Sequence, residues 1–358
     1  FGSSGIKSLA GPPLRASQSG GMAGTTRVIR TGSFYPEAPG EEPLHGEDWD
    51  AGFFFERKHL GGLGHLLRIF PGVPLLLLRL STILALAAVL VPALFVAAKL
   101  GSRSCVSCLM QFISRTLLFL FGFVWISTGG EKAEVPQEGC VIVSNHVGVA
   151  EIMWIMYVYG PAFVARKEYR HLPVAGSIGE HLDFIFVDPD RGSKDKAASD
   201  AVQSFFADGA QKGRSLCIFP EGTTTNGRGV LSFRTGAFLP KVTVLPLAVS
   251  HAVHDGLQMD PHFSGGKLHW HLLGLMCNVW NQMHVEYLPP VPYLRGRPPQ
   301  ETREEVREVI AEALDVALVD ANYKDKVMYE VKVGLRKPQE AVVVRGAGET
   351  SCRLVGED

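Results

Sequence analysis

The sequence predicts an α/β domain with a mostly parallel sheet flanked by helices, preceded by one or two membrane-associated hydrophobic helices. Three observations carry this. From about Cys140, short apolar runs (Cys140–Ser144, Ala162–Ala165, Phe184–Val187, Leu216–Phe219, Thr243–Val249) alternate with stretches of helical period such as 194–211. That alternation is the pattern of parallel strands joined by helices. Upstream, no charge occurs from Leu80 to Ala98, about the length that crosses a hydrocarbon core of roughly 30 Å. Finally, two polar motifs directly follow apolar runs, at the strand ends where open α/β sheets gather ligands.

The bulk numbers narrow the class. A chain of 358 residues holds one large domain or two small ones. A formal charge of -1 and a pI near 6.9 argue against a nucleic-acid partner. Hydrophobic content is 46% and mean hydropathy +0.12, with the excess concentrated in two segments. Six cysteines without regular spacing do not form a disulfide framework, so a reducing compartment is expected for the catalytic part. The first residue is Phe1, which predicts a fragment or a processed product.

Taken in order, residues 1–60 are rich in Gly, Ser and Pro with an acidic patch, and read as a disordered N-terminal extension. Residues 61–128 read as a hydrophobic anchoring segment. Its first run (71–100) and second run (109–126) flank a polar link at Gly101–Ser104. A membrane hairpin, or one span with an interfacial helix, is expected; two buried core helices are the alternative. Arg79 and Arg115 are expected to snorkel from near the helix ends. Cys105 and Cys108 lie between the runs, where a structural role or S-acylation fits better than a zinc knuckle. Residues 129–320 form the catalytic domain. Within it, His269 and His271 alternate as on one face of a strand, but no carboxylate or cysteine cluster stands beside them, so no metal site is expected. Residues 300–321 form an amphipathic helix with Val306, Val309, Ile310, Ala313 and Leu314 on one stripe. Residues 321–358 read as a polar C-terminal tail.

The chemistry sits in the two polar motifs. His146 and Glu151 are five positions apart after the first strand. Histidine titrates near neutrality and suits a general base, and a nearby carboxylate fixes its tautomer. At the start of a helix, Glu151 returns to nearly the same side as His146, with Ser144 and Asn145 suited to the helix start. The second motif is Glu221-Gly222-Thr223-Thr224-Thr225-Asn226. Its glycine, hydroxyls and backbone N–H groups suit a phosphate. Arg166, Lys167, Arg191 and Arg234 follow nearby strands and could neutralise that phosphate. Singly, each feature has an ordinary reading: a chance His–Glu spacing, a polar turn, a solvated cation. No Gly-x-Ser-x-Gly elbow is present, which argues against a serine hydrolase.

In order, these segments resemble the four blocks of the membrane-bound glycerophospholipid acyltransferases. Asn145-His146 through Glu151 resembles the first. Lys167–Gly176 through Phe184–Val187 and Arg191 resembles the second. Phe219–Asn226 with Phe233–Phe238 resembles the third, and Val244–Leu247 the fourth. The likeness covers about residues 140–250 and is greatest to the lysophospholipid acyltransferase branch, including plant-type lysophosphatidylethanolamine acyltransferases. Two departures stand out: Glu151 replaces the usual Asp, and Arg191 lies two residues later than usual. The resemblance implies a glycerolipid acyltransferase fold and an acyl-CoA-dependent transfer to a lysophospholipid, lysophosphatidylethanolamine or lysophosphatidylcholine. His146 would be the base and Glu151 its orienting acid. Arg166, Lys167, Arg191, Glu221, Gly222, Thr223, Thr224 and Arg234 would hold substrate. Acyl-CoA would be a co-substrate, with no cofactor and no metal, and the site would work at a bilayer, by resemblance that of the endoplasmic reticulum. Lysophosphatidic acid or glycerol 3-phosphate is the alternative acceptor. A vestigial lipid-binding protein anchored in the membrane is the alternative of another class.

Overall fold

The apolar runs read as strands form the middle of one sheet. In the computed structural model, residues 28–29, 52–55, 63–188, 196–207, 213–252 and 258–335 are described. The strands are β1 (Val28–Ile29), β2 (Ile126–Gly129), β3 (Cys140–Ser144), β4 (Ala162–Arg166), β5 (Ile185–Val187), β6 (Ser215–Ile218), β7 (Gly229–Val230), β8 (Thr243–Ala252), β9 (Gln282–Tyr287) and β10 (Ala317–Val319). The helices are α1 (Gly52–Phe55), α2 (Leu63–Lys99), α3 (Arg103–Leu120), α4 (Ala150–Tyr159), α5 (Pro173–His181), α6 (Lys196–Ala207), α7 (Leu268–Cys277), α8 (Pro299–Leu314) and α9 (Tyr323–Lys332).

The main sheet has the order β2-β9-β8-β3-β6-β4-β5. Every pairing is parallel except β8 with β9. Helices cover both faces, so the central strands are apolar at consecutive positions rather than alternating. Cys140 and Ile142 of β3 face one core with Trp154 and Ile155 of α4 and Val106 and Leu118 of α3. Val141 and Val143 face the other with Val202 and Phe205 of α6 and Val306 and Ile310 of α8. Burying each such Ile or Leu stabilises the fold by about 1.5–3 kcal/mol. A small second sheet, β1-β10-β7, lies beside the third block. Arg307 of α8 pins it, donating to the carbonyls of Leu231, Val230 and Val319.

The hydrophobic segments behave differently from each other. Phe70–Lys99 of α2 is the one helix, among the described residues, long and apolar enough to cross a membrane by length and composition. The amphipathic α3 instead packs an inner face of Val106, Ser114, Leu118 and Leu120 against the domain. Arg79 is not at a helix end. It is buried within α2 and donates to the carbonyls of Met276 (2.9 Å) and Val279 (2.9 Å) and to that of Asn278. A cation there meets the carbonyls left open at the C-terminus of α7. Arg115 likewise turns inward, donating to the Val124 carbonyl at 3.1 Å.

Three further expectations need correction. His269 and His271 lie on helix α7, not on a strand, because Leu268–Cys277 packs its apolar residues along α2. The expected disordered extension reaches too far. Gly52–Phe55 is helical with Phe54 and Phe55 buried against Leu231 and Val319; most of residues 1–50 lies outside the described residues. The expected polar tail contains α9, which buries Tyr323 and Val327 and starts with a capping box at Asn322 and Asp325. Residues 336–358 lie outside the described residues.

Candidate active site

The two polar motifs meet at the C-terminal ends of β3 and β6, which pair directly from Cys140↔Ser215 to Val143↔Ile218. The chain leaves β3 at Asn145, whose side chain donates to Val249 O (2.9 Å) and accepts from Val249 N (2.8 Å). Asn145 thus ties the turn to β8. It does not cap α4, which begins at Ala150 with Val149 at the cap position.

The next residue, His146, is gripped from both sides by the second motif. Its N–H donates to Glu221 Oε1 at 2.8 Å, and its carbonyl accepts from Thr225 N–H at 2.9 Å. Its ring stacks on Phe219, centroids 4.2 Å apart at 19°. The His146 side chain is 17% exposed.

Glu151 lies in the first turn of α4, where the positive end of the helix favours an anion. It is fully buried. Its Oε1 accepts from His146 Nδ1 (2.8 Å), Val147 N–H (2.9 Å) and Gly148 N–H (2.7 Å). Burial alone would push the Glu151 carboxyl up. The His146 hydrogen bond and charge, the nearby His251 and the Gly148 N–H outweigh it and hold the group at about 2. An ionised carboxylate can only accept, so Nδ1 of His146 carries a proton, and in the neutral ring the lone pair is on Nε2. The extra methylene of glutamate is absorbed because the carboxylate tucks under the 146–148 turn.

Glu221 is not placed to touch substrate. It is 1% exposed, and its two oxygens accept from His146 N–H and Leu231 N–H. Burial drives its carboxyl up to about 7 despite these donors and the charge of Arg307. Thr223 is also buried, and Thr224 is engaged by Lys326, whose Nζ donates to its carbonyl (2.7 Å) and hydroxyl (2.9 Å). Asn226 is sewn to α1: its N–H meets Phe54 O (3.0 Å) and its amide Phe53 O (2.7 Å). The loop is therefore a brace for His146, clamped by α1 on one side and α9 on the other.

Two of the expected basic residues do come together. The guanidiniums of Arg166 and Arg234 lie 5.8 and 6.0 Å from the ring centroid of Tyr323 in α9. Burial pushes Arg234 below its ordinary value, and the like charge of Arg166 adds to this. Gly222 has φ 68°, and a Cβ there would sit 2.7 Å from Arg234 Nε, so only glycine lets the guanidinium approach this backbone. Lys167 instead pairs with Asp188 at the surface. Arg191 lies outside the described residues. Sequence reasoning missed Phe219, Tyr323 and Lys326. The first could have been found from its place just before Pro220-Glu221; the α9 residues carried no signal.

Residues 127–250, which span this site, match the acyltransferase family model. Its site-bearing domain is similar to those of the glycerophospholipid acyltransferases. It is 32% identical over 252 residues to the lysophospholipid acyltransferase LPEAT1 of Arabidopsis thaliana, covering 61% of each chain. It is 28% identical over 256 residues to the human lysophosphatidylcholine acyltransferase 1, covering 69% of this chain and 47% of that one. The chain thus spans less than two thirds of the length of these relatives. The 1-acyl-sn-glycerophosphate acyltransferase PlsC of Thermotoga maritima has the same fold, with a TM-score of 0.50 at 20% identity, covering 69% of this chain and 96% of that one. The predicted acyltransferase fold is therefore the observed one.

Proposed function

We propose that this protein transfers an acyl group from acyl-CoA to the free hydroxyl of a lysophospholipid, lysophosphatidylethanolamine or lysophosphatidylcholine. The observation that carries the reading is the 2.8 Å contact between His146 Nδ1 and the ionised Glu151, which in the neutral ring leaves the Nε2 lone pair for the acceptor. His146 Nε2 accepts the hydroxyl proton as that oxygen attacks the thioester carbonyl. The C–S bond breaks, the ester forms, and the proton passes to the departing CoA sulfur. No acyl-enzyme is formed. Acyl-CoA is a co-substrate, and no cofactor or metal takes part in these steps.

Arg166 and Arg234, with the backbone at Gly222, support binding of the acceptor phosphate. Two guanidiniums side by side favour a doubly coordinated anion. Lys167, Thr223 and Glu221 are left out of that role, the last two by burial. The acceptor class rests on likeness to the lysophospholipid acyltransferase LPEAT1 and lysophosphatidylcholine acyltransferase 1. The apolar α2 supports work at a membrane surface, by family likeness that of the endoplasmic reticulum.

The test supplies labelled acyl-CoA to membranes carrying the chain, with a panel of lysophospholipids, lysophosphatidic acid and glycerol 3-phosphate. Transfer to a lysophospholipid that vanishes in His146→Ala is the expected result. Transfer to lysophosphatidic acid or glycerol 3-phosphate alone would overturn the acceptor. Equal and negligible transfer by folded wild type and mutant would overturn the enzyme and leave a lipid-binding protein.

A further inference from the structure

Behind the His146–Glu151 pair lies a second set of titratable side chains. Residues Asp260 to Phe263 pack directly on the catalytic turn: Phe263 N–H donates to Val147 O at 2.8 Å, and a Cβ on Gly148 would lie 3.2 Å from Pro261 O. Asp260 Oδ1 accepts from both His262 N–H (2.9 Å) and His262 Nδ1 (2.7 Å). The His262 ring meets the His251 ring edge to face, centroids 5.1 Å apart. His251 lies on β8, two residues after Val249. Leu245, Leu247 and Val249 face the core that holds Ala150 and Trp154 of α4, and alternation sends His251 to the same side. There its ring lies 5.6 Å from that of Phe123.

Two atoms in this region stand out. Glu151 Oε2 and His251 Nε2 are both buried and have no hydrogen-bond partner among the described residues. Buried polar atoms without partners are rare, and each needs an explanation. The other ring nitrogen of His251 faces the Gln282 carbonyl at 3.4 Å. A carbonyl only accepts, so Nδ1 carries the proton and Nε2 is an acceptor. Glu151 Oε2 is an acceptor as well. The two residues are near enough for their charges to act on each other, and a water has two hydrogens to give, one to each acceptor. Protonating His251 would also supply one, but burial and the neighbouring His262 hold it down at about 4, with Glu151 and Asp260 opposing.

We infer that His251 is a positioning residue for the catalytic pair, coupled to Glu151 Oε2 through one internal water and backed by His262 and Asp260. This rests on the proposed role of His146. The titratable groups that interact electrostatically with Glu151 are His146, His251, Cys217 and Glu221; those that interact with His251 are Glu151, His262 and Asp260. The water's hydrogen bond spreads the charge of Glu151. Without it the carboxylate holds a proton on His146 more strongly, and the base is available only at higher pH.

The experiment compares wild type, His251→Leu and His251→Gln in the full chain. It reads the His146 titration by NMR with ring-labelled histidine and the acid limb of kcat/KM. In His251→Leu both should move up by about one pH unit, roughly what one hydrogen bond to a charged group is worth. Activity below the limb then falls about tenfold for that unit while the high-pH plateau stays. His251→Gln, which keeps a polar amide, should lie much closer to wild type. An unmoved His146 titration in folded His251→Leu, or an equal loss of activity at every pH, would overturn the relay. The NMR titration reads the relay even if no acceptor is found, so failure of the proposed reaction remains distinguishable.

Discussion

Replacing Glu151 by Gln isolates the charge of the carboxylate from its shape. The amide is nearly the same size, and its oxygen can still accept from His146 Nδ1 and the N–H groups of Val147 and Gly148. On the proposed mechanism, what is lost is the anion that stabilises the imidazolium formed as the acceptor hydroxyl is deprotonated. A hydrogen bond to a charged group at so buried a site is worth up to about 3 kcal/mol. If the transition state feels most of it, kcat falls by about two orders of magnitude. The acceptor and acyl-CoA KM values should stay within about threefold, because neither substrate touches the buried carboxylate. Release of free CoA thiol with a lysophospholipid acceptor provides the assay, and a thermal melt confirms that the variant is folded. A folded Glu151→Gln enzyme with kcat within threefold of wild type would refute the electrostatic reasoning.

Other consequences can be checked separately. Arg234→Ala and Arg166→Ala should each raise the acceptor KM by about ten- to a hundredfold, the worth of a charge-assisted hydrogen bond, and leave the acyl-CoA KM unchanged; steady-state kinetics in both substrates decides this. Gly72→Val should loosen α2 from α7, because a Cβ there would lie 2.3 Å from Cys277 O. Overpacking of this kind costs about 3 kcal/mol, visible as a lower melting temperature. Glu151 and Glu221 should shape stability against pH in opposite senses. Glu151, held at about 2, contributes stability present above 4.5 and lost as pH falls toward 2. Glu221, raised to about 7, contributes stability present below 4.5 and lost as pH rises through 7. Denaturant melts of Glu221→Ala should therefore lose most relative to wild type near pH 4.5 and least above 7.

Much of the central sheet was legible because the central strands are buried on both faces. Consecutive apolar residues at Cys140–Ser144 and Ser215–Ile218 leave little else for those segments to be. β2, β7, β9 and β10 were missed because they lie at an edge of the main sheet, next to that edge or in the small sheet, where partial exposure leaves mixed sequences such as Gln282–Tyr287. His146 and Glu151 were legible because their partnership is local, spanning five residues and one turn.

The sequence by itself determined the α/β class, the apolar α2 and the His146–Glu151 pair, all of which rest on periodicity or short spacing. Only the tertiary structure decided what the Glu221–Asn226 loop does. Its composition suits a phosphate equally well, yet contacts across 75 residues turn Glu221 inward to hold the His146 backbone. It also decided that Phe54 and Lys326, remote at either end of the chain, clamp that loop, and that the His251 ring meets that of His262. The physical reason is the same in each case. A buried carboxylate or amine must find its hydrogen-bond partner somewhere, and the chain's folding, not its order, determines which one is within reach.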